Sequence, residues 1–329
     1  MKNNKTICLF IPHLKKGGAE NLTVNLANLF IKNEFTVKLV ILSDIKKNYD
    51  LNSRINIINF NKKRAFYSFF TILNFLLKSN KMICISSLKH INIILIIANL
   101  LLMRKHYLIS IETNTFSNHK LYTKKYISFY FITLLSQILY PFLNFIITPS
   151  FGVYEEIKKY LFVDNKKIKK IFNPIDIKFI KKLSTLNIPN ELNNKNKNIV
   201  AVGRLTWEKD YETLIKSMKY LIEVMDANLY IIGEGILYKQ LNKLINDTNL
   251  NKNVFLLGYV DNPYTFIKNA DLFVLSSISE GLPTSLIEAL ILQPNIISTN
   301  CKYGPAEILQ NGKFGKLIPQ KQPILLSKE

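Results

Sequence analysis

Short apolar runs alternate with amphipathic segments over the first half of the chain. Buried β-strands are predicted where these runs are rich in β-branched and large apolar residues, at Thr6–Ile11, 36–42, 55–60, 82–86 and 107–111. Helical patterns separate the runs, beginning with a helix at 19–31 that follows a glycine turn. Because strand and helix alternate, the pattern predicts a parallel, doubly wound α/β sheet whose ligands bind at the carboxyl ends of the strands.

A second series of apolar runs follows a polar stretch at 187–198. It predicts further strands at 199–203, 228–232, 254–260, 271–275 and 295–299. The dipeptide Asn173-Pro174 favours extended or turn backbone, which fits a crossing between domains. A chain of 329 residues is long enough for two separate cores. We therefore predict a first domain at 1–172, a linker at 173–196 and a second domain at 197–329.

The longest apolar stretch, 126–147, has the length of a membrane-spanning helix, for which about 20 apolar residues suffice. It is interrupted by Ser136-Gln137, Pro141 and Asn144. These polar and helix-breaking residues favour a helix followed by a short strand over a membrane span. A helix at 150–161 and a strand at 168–171 are expected to follow.

The formal net charge of +21 is concentrated in the first half of the chain. Residues 1–172 hold 26 Lys and Arg against 8 Asp and Glu, whereas residues 173–329 hold 18 against 15. Such a field implies an anionic partner, either nucleic acid or an anionic membrane. The apolar runs of this half have basic clusters at their edges, Lys62-Lys63-Arg64 and Lys124-Lys125. Basic residues beside aliphatic helices favour a membrane surface over nucleic acid.

One strand–loop–helix segment of the second domain carries candidate chemistry. After the apolar run 271–275 the chain turns through Gly281-Leu282-Pro283 and opens a helix at Thr284. Backbone N–H groups at a helix start carry partial positive charge, which suits a phosphate. Glu280 in the loop and Glu288 one turn into the helix add two carboxylates, which suit a molecule rich in hydroxyls. The segment therefore predicts a nucleotide-sugar pocket.

The same segment resembles the signature of a known family. Glu280 and Glu288 stand eight residues apart, with Gly-Leu-Pro between them and Ala-Leu after them. This resembles the E-x7-E motif of retaining glycosyltransferases of the GT-B type (glycosyltransferase family 4, "glycosyl transferases group 1"). The resemblance runs from Gly17 to Pro319 and implies two Rossmann-like parallel-sheet domains facing a cleft. Relatives continue with further helices, so the C-terminal end at Glu329 is expected to be truncated.

The resemblance also implies roles for individual residues. Arg204 and Lys209, which alone would read as an ordinary charged loop, match a Gly-Arg-Leu…Lys-Asp motif and are expected over the donor diphosphate. Glu280 is expected to bind the transferred sugar and Glu288 the ribose hydroxyls, so the catalytic candidates are Glu280, Arg204 and Lys209. The donor-binding candidates lie mostly in loops at strand ends: Gly17, Gly18, Gly233, Gly235, Val260, Gly281, Leu282, Pro283, Thr284 and Glu288.

Two further candidates come from the first domain. At the end of the predicted strand 107–111, many relatives carry a histidine where this chain has Ile111-Glu112-Thr113-Asn114. This departure means that no role is carried over from the histidine. Because the segment leaves the carboxyl end of a strand, where ligands of such sheets bind, Glu112 and Asn114 are candidates for contact with hydroxyls of the donor or acceptor sugar.

These residues together predict an enzyme that transfers a hexose or N-acetylhexosamine from a nucleotide sugar. The resemblance implies retention of configuration, a UDP-linked donor with GDP-mannose as second choice, and a polyprenyl-diphosphate-linked saccharide acceptor in surface polysaccharide or glycan assembly. The sequence contains no Asp-x-Asp and no Cys/His cluster, so we expect no metal and no cofactor. The expected location is peripheral, at the cytoplasmic face of the inner membrane. Two other classes stay open: a non-catalytic membrane-associated partner of another glycosyltransferase and, on charge alone, a nucleic-acid-binding protein.

Overall fold

The computed structural model describes residues 5–14, 18–43, 49–61, 68–113, 126–293 and 295–329, without the side chains of 126–130. It divides into two compact units, Met1–Pro174 and Ile175–Glu329. The predicted site residues Gly17 and Asn114 lie outside the described residues, as do the basic clusters at 62–64 and 124–125.

The first unit is built on a parallel seven-stranded sheet. Its strands are β1 (Thr6–Ile11), β2 (Thr36–Ile41), β3 (Asn56–Asn59), β4 (Ile83–Ser86), β5 (Tyr107–Ile111), β6 (Phe145–Thr148) and β7 (Ile168–Lys170), in the order β3-β2-β1-β4-β5-β6-β7. Its described helices are α1 (Gly18–Lys32), α2 (Phe69–Lys78), α3 (Lys89–Leu101), α4 (Tyr126–Leu139) and α5 (Phe151–Tyr160). The predicted strands and parallel sheet are confirmed, with bounds that differ by a residue or two.

Helices cover both faces of this sheet. Side chains of a strand alternate between the two faces, so Cys8 and Phe10 belong to one core and Leu9 and Ile11 to the other. Helices α2, α3 and α5 contribute buried side chains to the first core, and α1 contributes to the second. A sheet buried on both faces explains why its strands read as continuous apolar runs.

The stretch 126–147 forms helix α4, a short 3-10 turn at Tyr140–Phe142 and strand β6. The predicted helix followed by a strand is confirmed. None of the helices in the described part of the chain combines the length and the apolarity that a bilayer crossing requires.

The second unit contains a parallel six-stranded sheet. Its strands are β8 (Lys197–Val202), β9 (Ala227–Ile232), β10 (Val254–Gly258), β11 (Leu272–Leu275), β12 (Ile296–Thr299) and β13 (Lys316–Ile318), in the order β10-β9-β8-β11-β12-β13. Its described helices are α6 (Ile177–Ser184), α7 (Tyr211–Leu221), α8 (Tyr238–Asp247), α9 (Pro263–Asn269), α10 (Thr284–Leu292), α11 (Pro305–Ile308) and α12 (Pro323–Lys328). Both units are therefore Rossmann-like, as the sequence predicts.

The segment predicted as a linker, 173–196, contains helix α6, which packs against α9 and α10 of the second unit. The amide of Asn262 donates to the backbone oxygen of Leu183 at 2.9 Å. Leu192 is buried in a hydrophobic core of the second unit. The polar stretch before β8 is otherwise mostly exposed, and Leu192 is its one buried apolar residue. From Ile175 onward the segment belongs to the second unit.

The order of the strands creates one topological switch point in each sheet. In the first unit it lies between β1 and β4: β2 and β3 are added on one side of β1, and β4 and the later strands on the other. In the second unit it lies between β8 and β11 in the same way, with β9 and β10 on one side of β8 and β11 to β13 on the other. Ligands of open α/β sheets bind beside the carboxyl ends of the strands at such points.

Candidate functional site

The switch point of the second sheet is bordered by the loops that follow β8 and β11. Two hydrogen bonds join these loops. The N–H of Ile278 donates to the backbone oxygen of Glu208 at 2.9 Å, and the hydroxyl of Ser276 donates to the backbone oxygen of Lys209 at 2.7 Å. The two loops therefore hold each other in position at the edge where a ligand would bind.

An ion pair between Lys209 and Glu280 spans the two loops. The distance from Lys209 Nζ to Glu280 Oε1 is 2.6 Å, and the side chains are only 14% and 10% exposed. The hydroxyl of Ser277 donates to the same oxygen at 2.6 Å. A buried ion pair gains little net stability, because both charges lose their water. Its position is more consistent with ligand binding, since it lies at the carboxyl ends of the strands beside the switch point, where ligands of open α/β sheets bind.

Gly203 at the end of β8 provides the room for the lysine. A Cβ atom at this position would lie 2.8 Å from the hydroxyl of Tyr211 and 3.1 Å from Cε of Lys209. Burial, followed by the charges of Glu280 and Glu208, raises the pKa of Tyr211. This glycine is part of the Gly-Arg-Leu…Lys-Asp motif, but its steric role depends on Tyr211 and Lys209 and could not be predicted from the motif. Ser277 was not among the predicted site residues.

Arg204 differs from Lys209 in its surroundings. Its side chain is 67% exposed, and its Nη2 lies 3.5 Å from Oε1 of Glu208. An exposed pair of this kind is weak, so the guanidinium can exchange Glu208 for an anionic ligand at little cost. The structure thus brings both predicted cations to one loop, but each has a different carboxylate partner.

The glycines after β9 support the loop after β8. Gly233 has a φ of +146°, and a Cβ there would lie 2.0 Å from the backbone oxygen of Gly203. A Cβ at Gly235 would lie 2.3 Å from the backbone oxygen of Leu205. These glycines therefore allow two backbone segments to pack closely. From the sequence they were predicted to bind the donor instead. Contact of either glycine with a donor stays a prediction.

Glu288 lies one turn into helix α10 and is partly buried. Burial raises its pKa to about 7, although a hydrogen bond from the hydroxyl of Tyr264, 3.4 Å away, acts in the opposite direction. The first N–H groups of an α-helix have no partner within the helix, and those of α10 begin at Thr284, behind Pro283. The site therefore offers a carboxyl group poised to ionise near neutral pH beside a helix N-terminus.

The other donor candidates occupy the same edge of the sheet. Gly281 and Pro283 are buried, and Leu282 is partly buried, in the loop after β11. Val260 follows β10 and is partly buried, and the neighbouring backbone oxygen of Gly258 accepts from the N–H of Gly233 at 2.7 Å. The loops that follow β8, β9, β10 and β11 thus all meet the carboxyl edge of one sheet.

In the first unit, Glu112 is an internal residue. Its side chain is 2% exposed, and Oε1 accepts from Tyr140 at 2.7 Å, Ser110 at 3.0 Å and Asn92 at 3.2 Å. The predicted contact with a sugar hydroxyl would require this cluster to open, because the carboxylate faces protein groups. Gly18 begins helix α1, and a Cβ there would meet no atom of the described residues within 4 Å.

The switch point of the first sheet carries residues that the sequence analysis did not single out. His13 follows β1, and its Nδ1 lies 3.2 Å from Oε1 of Glu20 in α1. His90 lies in the first turn of α3, after β4; burial lowers its pKa, and the charge of His13 lowers it further. A signal was present in the sequence, since each histidine follows closely after a predicted strand.

Across the residues that the structure describes, no group of three or more His, Cys, Asp or Glu side chains could hold a metal ion. Catalysis without a metal stays a prediction.

Parts of the chain are similar to a known family model and to known proteins. A family model described as "Glycosyl transferases group 1" matches residues 185–329. An uncharacterized glycosyltransferase of Methanocaldococcus jannaschii is 35% identical over 209 residues, which are 62% of this chain and 50% of that protein. The N-acetylgalactosamine-N,N'-diacetylbacillosaminyl-diphospho-undecaprenol 4-alpha-N-acetylgalactosaminyltransferase of Campylobacter jejuni is 33% identical over 184 residues, 56% of this chain and 49% of that protein. The chain thus spans about half the length of these two curated relatives.

Solved structures show the same fold. The crystal structure of Anabaena HepE in complex with UDP and glucose superposes with a TM-score of 0.78 at 15% identity, covering 99% of this chain and 88% of that one. At this level of identity the likeness concerns the fold alone. The family model thus matches less than half of the chain, in its second unit, and the solved structure shares the fold of both units.

Proposed function

We propose that the protein transfers a hexose or N-acetylhexosamine from a UDP-linked sugar to a lipid-linked saccharide, with retention of configuration and without a metal. The observation that carries this proposal is the Lys209–Glu280 pair, which lies between two loops at the switch point of the second sheet. When a nucleotide sugar binds there, the cation and the carboxylate can separate, so that one binds its diphosphate and the other its sugar. The lysine is assigned to the diphosphate and the glutamate to the sugar hydroxyls.

The chemistry requires stabilisation of the leaving diphosphate. As the bond between the anomeric carbon and the phosphate oxygen breaks, negative charge develops on the diphosphate. Lys209, the exposed guanidinium of Arg204 and the N-terminus of α10 are the groups assigned to that charge. The acceptor hydroxyl then forms the new glycosidic bond on the same face of the sugar, and its proton passes to the departing phosphate oxygen. Glu288 is assigned to the ribose hydroxyls.

The choice of substrates has separate support. The HepE structure contains UDP and glucose, which favours a UDP-linked donor. The name of the Campylobacter jejuni relative includes a diphospho-undecaprenol acceptor, which favours a polyprenyl-diphosphate-linked saccharide here. Such an acceptor, together with the basic first unit, implies peripheral attachment to the cytoplasmic face of a membrane in surface polysaccharide or glycan assembly.

The test has a binding arm and a transfer arm. Calorimetric titration with UDP and GDP identifies the base, and labelled nucleotide sugars are then screened against lipid-linked saccharides from a membrane extract. Addition of a chelator tests metal independence, and NMR of the product tests retention. Substitution of Glu280 by Gln or of Lys209 by Met is expected to lower the rate about 10²–10³-fold.

A matched control is available within the same unit. Lys216 forms an ion pair with Glu212 at the same 2.6 Å distance, but both side chains are nearly half exposed. Lys216→Met should leave transfer unchanged. Binding of neither UDP nor GDP would overturn the assignment. Transfer that survives in both site variants would also overturn it, and a protein that binds membranes without any transfer would instead be the non-catalytic partner.

A further inference from the structure

Helices α2, α3 and α4 form one continuous layer on the first sheet, since α2 packs against α3 and α3 against α4. Large apolar side chains, each more than half exposed, point outward from this layer; we call them the helical face: Phe70, Leu77, Leu101, Phe131, Leu134 and Ile138. The three residues of α4 have the spacing i, i+3, i+7, which places them on one side of the helix. Large apolar side chains left exposed on one helical layer are typical of an interaction site.

The charge of the same part of the chain is one-sided. Between residues 51 and 154 there are twelve Lys and Arg but a single acidic residue, Glu112. Because Glu112 is 2% exposed and hydrogen-bonded inside the unit, it contributes little negative charge to the surface. A segment with this charge disfavours a basic partner and favours an anionic one.

Several of the cations lie at one end of the helical face. Each of the three helices precedes a strand of the same parallel sheet, so their C-termini lie at the same edge. Lys78 ends α2, Arg104 and Lys105 follow α3, and Lys105 Nζ donates to the backbone oxygen of Leu77 at 2.9 Å. The ends of α2 and α3 are thereby joined into a basic rim beside the apolar side chains.

We propose that the helical face is the membrane-binding surface of the protein, with an anionic lipid bilayer as its partner. Its six apolar side chains enter the boundary between headgroups and acyl chains, while Lys78, Arg104 and Lys105 contact lipid phosphates. An anionic bilayer supplies both the apolar and the negative component, whereas nucleic acid supplies no acyl layer for aliphatic side chains. This inference rests on the membrane attachment in the proposed function and names the surface responsible for it.

The experiment measures cosedimentation of the whole chain with vesicles of phosphatidylglycerol and phosphatidylcholine, and with phosphatidylcholine vesicles alone, at low and high salt. Wild-type protein should bind the anionic vesicles and lose most of this binding at high salt. The double variant Phe131→Ser/Leu134→Ser should bind at least about tenfold more weakly, because two exposed apolar anchors are lost. Lys78→Gln/Arg104→Gln should weaken binding by about fivefold for each charge removed.

The matched control is Leu186→Ser/Ile188→Ser in the second unit. These side chains are 55% and 60% exposed, against 61% and 53% for Phe131 and Leu134. Circular dichroism and cooperative unfolding in urea verify that every variant is folded. Binding that is unchanged in the helical-face variants, or lowered equally by the control, overturns the proposed surface. So does wild-type protein that binds neutral vesicles equally well, or duplex DNA in place of vesicles.

The two proposals fail in different ways. If UDP does not bind but anionic vesicles still bind through the helical face, the glycosyltransferase assignment fails and the surface assignment stands. If UDP binds and transfer to a detergent-dispersed acceptor proceeds, but the face variants bind vesicles normally, only the surface assignment fails.

Discussion

Replacing Lys209 by Met tests whether the central ion pair behaves as a buried pair. At 2.6 Å between Nζ and Oε1, the attraction is about 6 kcal/mol at an effective dielectric constant of about 20. Most of this is offset by the desolvation of both charges, so the pair itself contributes little. Removal of one partner is different, because it leaves the carboxylate of Glu280 buried without its cation. Such losses cost about 3–5 kcal/mol.

The hydroxyl of Ser277 still donates to Glu280 in this variant, so we expect the lower end of that range, about 3 kcal/mol. The control Lys216→Met breaks a pair of equal length in which the side chains of Lys216 and Glu212 are 47% and 44% exposed. Exposed pairs at i and i+4 contribute about 0.3–0.5 kcal/mol. The two variants should therefore differ several-fold in their effect on the free energy of unfolding.

The double variant Lys209→Met/Glu280→Gln separates stability from chemistry. It removes both charges, so it should recover much of the stability that Lys209→Met loses, yet it should remain inactive in sugar transfer. Stability of the second unit can be followed by the fluorescence of Trp207, the single tryptophan of the sequence, during unfolding in urea. The reasoning is refuted if Lys209→Met costs no more than Lys216→Met, or if the effects of the two site substitutions simply add.

Three other perturbations have clear expectations. Burial raises the pKa of Glu288 from 4.5 to about 7. Between pH 4.5 and pH 7 the folded unit therefore binds one proton more than the unfolded chain does. Its free energy of unfolding should fall by about 3 kcal/mol as pH rises through that window, and Glu288→Gln should remove this slope in urea titrations. Gly233→Ala, whose Cβ would lie 2.0 Å from a backbone oxygen, should lower the midpoint of unfolding strongly, whereas Gly18→Ala, with no described atom within 4 Å, should not. Tyr140→Phe removes a 2.7 Å hydrogen bond to the carboxylate of Glu112 and should cost the first unit about 1.5–3 kcal/mol, measured by hydrogen exchange of its core amides.

The core strands could be predicted because burial on both faces demands an apolar side chain at nearly every position. The run Ala227–Ile232, for example, is buried throughout. Helix α6 could not be predicted in the same way, because it has only two buried residues, Ile180 and Ser184, among exposed lysines. Its place depends on α9 and α10, which lie about 80 to 110 residues further along the chain.

The candidate site shows the same division. The spacing of Glu280 and Glu288 and the local motif around Arg204 and Lys209 are properties of short segments, so the sequence could identify them. The partners of these residues lie outside those short segments, so the sequence could not identify them. Lys209 meets Glu280 across 71 residues, and Tyr264 meets Glu288 across 24.

By itself, the sequence determined the alternation of strands and helices, the two-unit organisation, the one-sided charge and the identity of the residues at the second switch point. These are local or compositional properties, which depend on side-chain polarity and backbone preference. Only the tertiary structure decided that Glu112 is internal, that Lys209 pairs with Glu280, and that the exposed side chains of three helices share one face. Each of these depends on which distant segments meet. Burial and charge pairing are set by contacts between segments in the folded chain, and their order along the sequence does not specify those contacts.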